Sequence, residues 1–250
     1  MVFYFVNFLF LRETDVILIM PKYKHVFFDL DRTLWDFDTN SRIALSEIYA
    51  DFKLKERGID SSNEFIEIYQ EINEELWDRY RKGLLNKRKL RSLRFSKTLE
   101  HFGSSDEYLG EQLGTAYVEI SPYKTAVLPN CMEILDYLAG RYEMHIITNG
   151  FEEVQNIKLD QSGLTKYFSK IITSEQAGAR KPDPKVFGYA LDLTKGSVDN
   201  SLMIGDDLRT DIEGARNVNM DHVYYNPNRV DHSEDLFHEI SDLIELKNVL

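Results

Sequence analysis

His25-Val26-Phe27-Phe28-Asp29-Leu30-Asp31 decides how this chain is read: a short apolar run that ends in two carboxylates. The same arrangement returns at Met144–Ile147 before Thr148, at Lys170–Ile172 before Thr173, and at Leu202–Ile204 before Gly205. His222–Tyr225 is a fifth run of this kind. Runs that are apolar throughout, without alternation, suit strands covered on both faces. Helical patterns lie between them, at Cys131–Leu138, Val154–Leu164, Pro184–Leu191 and Asp211–Val218. This alternation predicts an α/β fold whose doubly wound parallel sheet is joined by right-handed crossovers. Ligands of such sheets sit beyond the carboxyl ends of the strands, where all four polar clusters fall.

Between Val26 and Met144 there is no strand signal. Leu45, Ile48, Tyr49 and Phe52 recur at helical spacing, as do Phe65, Ile68, Tyr69 and Ile72, and Leu113, Ala116, Tyr117 and Ile120. Residues 38–121 are therefore expected to form an all-helical cap domain inserted after the first strand, leaving 20–37 and 122–250 as the α/β core. Such a module can close over the active edge as a lid.

Composition narrows the function classes. The 250 residues carry 42 acidic and 30 basic side chains, a net charge of −12. That excess argues against binding to nucleic-acid polymers or anionic membranes, though not against a small anionic substrate in a locally positive site. One cysteine, Cys131, cannot form an intramolecular disulfide, which suits a reducing, cytoplasmic setting. The expected oligomeric state is monomer or homodimer. Val2–Leu11 is apolar but interrupted by Arg12, Glu13 and Asp15, short of a membrane span, and it lacks the basic lead and small-residue cleavage site of a secretory signal. With Met20 standing just before the first strand, residues 1–19 are read as a dispensable extension; a membrane-associating segment is the second reading.

Each polar cluster has a plain explanation when taken alone. Asp-rich turns are common, a single lysine is usually a solvated charge, and Thr148-Asn149-Gly150 can be an ordinary turn. Together they carry more. Asp29 and Asp31 leave the first strand so that both can face a ligand, and Gly205-Asp206-Asp207 ends a later strand. Acids converging on one sheet edge repel unless a cation joins them, and a hard oxygen environment favours Mg²⁺. Asp211 either caps the helix that follows or supports the site from behind. Thr148-Asn149-Gly150 offers a hydroxyl and backbone N–H groups to an anion. Lys181 sits between Arg180 and Pro182 on a stiffened loop at the same edge.

In order and spacing, from about residue 22 to 230, these pieces resemble the haloacid dehalogenase superfamily. Asp29-Leu30-Asp31-Arg32-Thr33 is similar to its first motif, Thr148-Asn149-Gly150 to the second, Lys181 to the third, and Gly205-Asp206-Asp207 with Asp211 to the fourth. Thr33-Leu34-Trp35-Asp36-Phe37, Gly83, Arg94-Phe95 and Lys181-Pro182-Asp183-Pro184 resemble the nucleotidase-like phosphatases that carry a helical cap. The resemblance implies a Rossmann-like core in which Asp29 accepts the phosphoryl group. Asp31 would protonate the leaving oxygen and then activate water. It further implies Mg²⁺ held by Asp29, the Asp31 backbone carbonyl and Asp206, with Asp207 and Asp211 behind them. Thr148, Asn149 and Lys181 would bind the phosphoryl oxygens. The dehalogenase branch lacks an acid at the position of Asp31, so its presence favours phosphate chemistry. The implied reaction is hydrolysis of small phosphate monoesters, nucleoside 5′-monophosphates first, with a sugar-phosphate phosphatase or a phosphomutase as alternatives.

Arg79 to Lys97 holds nine Lys or Arg and no acid; it reads as a solvated helical face, with Arg94 a candidate for positioning substrate. Trp35, Phe37 and Trp77 read as packing before they read as a stacking surface for a base. No pair of histidines stands at metal-ligand spacing.

Overall fold

The computed structural model describes residues 22–250; the expectations for residues 1–19 and for Met20 lie outside them. Six parallel strands form one sheet: β1 His25–Phe28, β2 Glu143–Thr148, β3 Phe168–Thr173, β4 Ser201–Gly205, β5 Asp221–Tyr225 and β6 His238–Ile240. Their order is β3-β2-β1-β4-β5-β6. The chain therefore winds outward from β1 in both directions, and β1, between β2 and β4, marks the switch point where such sheets bind ligands.

The apolar runs are continuous because both faces of the sheet are covered. Val26 and Phe28 point into one core with Leu135, Met144 and Leu202, while Phe27 points into the other with Ile147, Val186, Phe187 and Met203. This is the period-two alternation of a strand. Burying a Phe or Leu side chain fully is worth about 1.5–3 kcal/mol. Three differences from the sequence expectations have local causes. In β3 residues 168–171 are only partly covered, because this strand lies at the sheet edge. β6 was unforeseen: its three residues contribute one buried apolar side chain, Ile240. The helix expected from Asp211 starts instead as a π-helical turn, Leu208–Ile212, before the short helix Glu213–Asn217.

Between β1 and β2 the helix α5 Cys131–Leu138, packed in the core of the sheet, is preceded by the helices α1 Phe37–Asp51, α2 Ser62–Arg81, α3 Lys87–His101 and α4 Glu107–Ile120. These four enclose an apolar cluster of their own around Leu45, Ile48, Phe65, Tyr69, Phe95 and Leu113. Asp36 caps α1 by accepting from the Thr39 N–H. The outgoing and returning segments are tied together: Asn40 pairs with both the N–H and the carbonyl of Ala126, and Leu128 donates to the Leu34 carbonyl. A second tie is apolar, with Leu76, Tyr80 and Leu90 packed on Phe151 at the start of α6, Glu152–Gln161. Among the described residues no helix is long and apolar enough to cross a membrane.

The basic stretch is not wholly a solvated face. Lys87 pairs with Glu153 and Glu175 at 2.9 and 2.8 Å, Arg91 pairs with Glu153, and Arg94 is buried. Acids at the start of α6 and of the short helix α7, Ser174–Ala177, draw it onto the core.

Candidate active site

All the predicted site residues except Asp211 stand at or just beyond the carboxyl ends of β1, β2 and β4, or on the loop after β3; Asp211 lies in the turn that follows β4 and folds back to the same edge. Asp29, Asp31, Thr148, Asn149, Lys181, Asp206, Asp207 and Asp211 all line one cleft, about 120 Å³ in volume, between the sheet edge and α2.

Lys181 organises the cleft. It is 2% exposed, and its ammonium donates to Asp29 Oδ1 at 2.5 Å, Asp211 Oδ1 at 2.6 Å and the Ile147 carbonyl at 2.7 Å. Those three bonds use all its protons. Burial alone would lower its pKa, but the carboxylates of Asp211 and Asp29 outweigh burial and hold it above the usual lysine range. Asn149 fixes the loop by accepting from the Lys181 N–H at 2.8 Å and donating to the Lys181 carbonyl at 3.1 Å. The Asn149 oxygen and one of its two amide N–H groups thus position Lys181, leaving the second N–H for an anion.

Carboxylate oxygens of Asp29, Asp206 and Asp211 come within 4.8 Å of one another. Burial pushes the Asp29 carboxyl up to about 7, against the pull of Lys181. Burial also raises Asp206 well above the usual carboxylate range, with repulsion from Asp29 and Asp211 adding to it, and it raises Asp211 despite Lys181. Two buried carboxyls and the partly buried Asp206 face one ammonium, so that when all three ionise two negative charges are uncompensated. Hard oxygen donors in that balance fit a divalent cation. Asp206 is held in place by the Thr33 hydroxyl at 2.9 Å.

Asp211 is not the helix cap. Its Oδ2 accepts from the Asp207 N–H at 3.1 Å, and Asp207 does the capping by accepting from the Arg209 N–H at 2.8 Å. Turning Asp211 inward accounts for the wide first turn. It also explains Gly205, where an added Cβ would lie 2.3 Å from Asp211 Oδ2.

Asp31 stands outside the carboxylate trio. Its Oδ1 accepts from Lys158 Nζ at 2.5 Å and its Oδ2 from Gln155 Nε2 at 2.8 Å, both on α6. Gln155 also donates to the Thr148 hydroxyl at 2.7 Å, and Lys158 lies over the Trp35 ring at 4.2 Å. Gly150 makes room for Gln155, whose Nε2 would sit 2.3 Å from a Cβ there. Sequence reasoning missed both α6 residues. The signal was present: with Phe151 and Leu159 they form the i, i+4, i+7, i+8 stripe of the buried face, and polar residues on such a stripe need partners.

Trp35 is buried in the core, as packing predicts. Trp77 stacks on Phe151 at 5.5 Å, yet it and Phe37 line the cleft as well.

Comparison with known proteins bears on the family and the fold. The pyrimidine 5′-nucleotidase PynA of Streptococcus pneumoniae is 34% identical over 211 residues, covering 84% of this chain and 86% of that protein. The pyrimidine 5′-nucleotidase YjjG of Escherichia coli is 31% identical over 233 residues, covering 92% and 98%. Among solved structures, the HAD-hydrolase YfnB of Bacillus subtilis, bound to magnesium, superposes with a TM-score of 0.82 at 27% identity over 91% of this chain and 98% of that one. Residues 23–219 match the haloacid dehalogenase-like hydrolase family as a whole. With that match, the parallel sheet and the acids gathered at its carboxyl edge, the chain belongs to the haloacid dehalogenase-like hydrolases.

Proposed function

We propose that this enzyme hydrolyses small phosphate monoesters through an aspartyl-phosphate on Asp29, with Mg²⁺ as cofactor and pyrimidine nucleoside 5′-monophosphates as the favoured substrates. One observation carries the reading. Asp29 is paired with Lys181 inside a trio of carboxyls that shares this one ammonium, while a second acid two residues on is held by separate anchors. Nucleophile and proton carrier are thus kept in different environments, the arrangement that lets two carboxyls take two roles.

Asp29 attacks phosphorus as its Oδ–P bond forms and the bond from phosphorus to the leaving oxygen breaks. Asp31 gives that oxygen its proton. Water then attacks phosphorus, Asp31 takes the water's proton, and Asp29 is released with inorganic phosphate. Lys181 opposes the protonation that burial favours at Asp29, and its positive charge lies beside the phosphoryl oxygens as charge builds there, with the Thr148 hydroxyl and the turn after β2. Asn149 contributes by holding Lys181. Mg²⁺ bound by Asp29, the Asp31 backbone carbonyl and Asp206, with Asp207 and Asp211 behind them, would supply Lewis-acid neutralisation of the transferring group. The helical insert, residues 38–121, acts as a cap that excludes water and selects the leaving group. The two pyrimidine nucleotidases support the substrate class.

The test is a phosphate-release screen over nucleotides, sugar phosphates and an aryl phosphate, run with Mg²⁺ and with EDTA. Release is expected only with Mg²⁺ and fastest from pyrimidine nucleotides. Equal release in EDTA removes the metal role, and isomerised sugar phosphate in place of free phosphate indicates a mutase.

A further inference from the structure

Arg94 is the buried cation that the reaction leaves unused. It lies on the inward stripe of α3 beside Leu90, Phe95 and Thr98 and is 4% exposed. The other buried cations of the cleft and of the recess beside it each have a carboxylate: Lys158 has Asp31, and Lys181 has Asp29 and Asp211. Among the described residues Arg94 has none. Its one hydrogen bond runs from Nη1 to Asn73 Oδ1 at 3.2 Å, and its Nε is buried without an acceptor. The guanidinium lies 5.1 Å from the Tyr117 ring centre and 5.9 Å from that of Tyr69, contacts that orient it but accept none of its N–H groups. A desolvated guanidinium short of acceptors is costly, and the cost is removed when a ligand brings an acceptor.

Its position suggests which ligand. Arg94 lines a recess of about 60 Å³ that also borders Asp31. Asp31, Phe37, Trp77 and Gly150 are walls common to this recess and to the cleft over Asp29. A leaving group whose oxygen meets Asp31 therefore extends between aromatic faces toward a guanidinium and a neutral amide. Flat walls suit a planar ring. Lys158, the other cation of the recess, is already bonded to Asp31, so Arg94 alone lacks a carboxylate, and one such cation shared with an amide suits a carbonyl oxygen better than a second phosphate, which would bring two charges to it.

Building on the phosphatase reading, we infer that Arg94, backed by Asn73, is the specificity-determining residue for the leaving group and donates to a ring carbonyl of a pyrimidine base. A site built to satisfy a polar substrate group strongly rejects analogues that lack it.

The experiment compares kcat/KM for UMP and for ribose 5-phosphate, which keeps the phosphoribose and lacks the base. In the wild-type enzyme UMP is preferred. In Arg94→Met, which keeps most of the stem and removes the guanidinium, the UMP to ribose 5-phosphate ratio falls about 10- to 100-fold, mainly through KM for UMP. Arg94→Lys recovers part of it. A purely structural Arg94 would lower both substrates together, and an unchanged ratio overturns the inference. Inhibition of wild-type aryl phosphate hydrolysis needs no variant: uridine inhibits at concentrations where ribose does not, and equal inhibition by the two overturns the inference. Wild-type preference for a sugar bisphosphate over UMP overturns it in favour of a second phosphate. Failure of wild-type enzyme to hydrolyse any phosphate monoester instead sinks the phosphatase reading, and this inference with it.

Discussion

On the sheet side of the cleft the charged groups are interlocked. Lys181 bonds two carboxylates and a carbonyl, Asn149 holds the Lys181 backbone, Thr33 holds Asp206, and Asp211 holds the Asp207 backbone. On the helical side, where the buried guanidinium of the adjoining recess has only a neutral amide for a partner, Phe37 and Trp77 line the cleft beside Asn73, Glu74 and Arg81. The exposed tie of that side is Arg32, which reaches Glu74 at 2.7 Å and Asp38 at 3.0 Å. Preorganisation is concentrated where the proposed reaction would develop charge. The opposite wall would be completed by the leaving group. Under the proposed function this is a division of labour, with the sheet edge carrying the chemistry and the insert choosing the substrate.

Four perturbations, in order of expected effect, test that contrast. Lys181→Met strikes the centre of the interlocked wall. It leaves Asp29 and Asp211 buried without their cation, so stability should fall by about 3–5 kcal/mol and kcat by about 10²- to 10³-fold. Thermal melts and phosphate release measure both. A change within twofold would mean that the network is ornamental.

Mg²⁺ comes second. The folded-state pKa of Asp29 is raised from 3.8 to about 7, so between those values the folded protein binds the extra proton and the metal-free fold loses stability as pH rises. A cation removes that penalty and must displace any proton already bound. The rise in Tm on adding Mg²⁺ should therefore be larger at about pH 8 than at about pH 5.5, with a limit near 2.7 kcal/mol when Mg²⁺ is about a hundred times its Kd. Equal shifts at both pH values would separate cation binding from these carboxyls.

Third, Lys158→Met frees the Asp31 carboxylate from one of its two anchors. Proton transfer is worth about 10²- to 10⁴-fold in total, and loss of orientation should forfeit roughly 10- to 100-fold of it in kcat, with KM little changed and the acid limb of the pH–rate profile moved. An unaltered profile would show that Asp31 is positioned without α6. The mildest change is Glu74→Gln on the helical wall. Exposed pairs contribute about 1 kcal/mol or less, so a larger loss on melting would mean that this wall is interlocked too.

Much of this was legible in the sequence, and for identifiable reasons. β1, β2, β4 and β5 are short apolar runs that end in polar clusters, a pattern that follows from burial on both faces. The acids, Lys181 and the turn after β2 stand where the chain leaves those strands, so topology alone gathers them at one edge. β6 escaped because His238-Glu239-Ile240 is too short and polar to carry a periodic signal. The roles of Asp207 and Asp211 in the turn could not be divided from spacing, because either acid can cap a helix; three-dimensional access to Lys181 decides between them. Gln155 and Lys158 share one blind spot. Each sits on the buried stripe of a helix, where a reading tuned to apolar periodicity passes over a polar residue instead of asking what partner it needs.

The most direct measurement is rapid acid quench of the enzyme during turnover with Mg²⁺, followed by peptide mass spectrometry. The account predicts the mass of one phosphoryl group on the peptide that contains Asp29, and its absence in Asp29→Asn. A phosphoryl group on another peptide, or full turnover by Asp29→Asn, would contradict it.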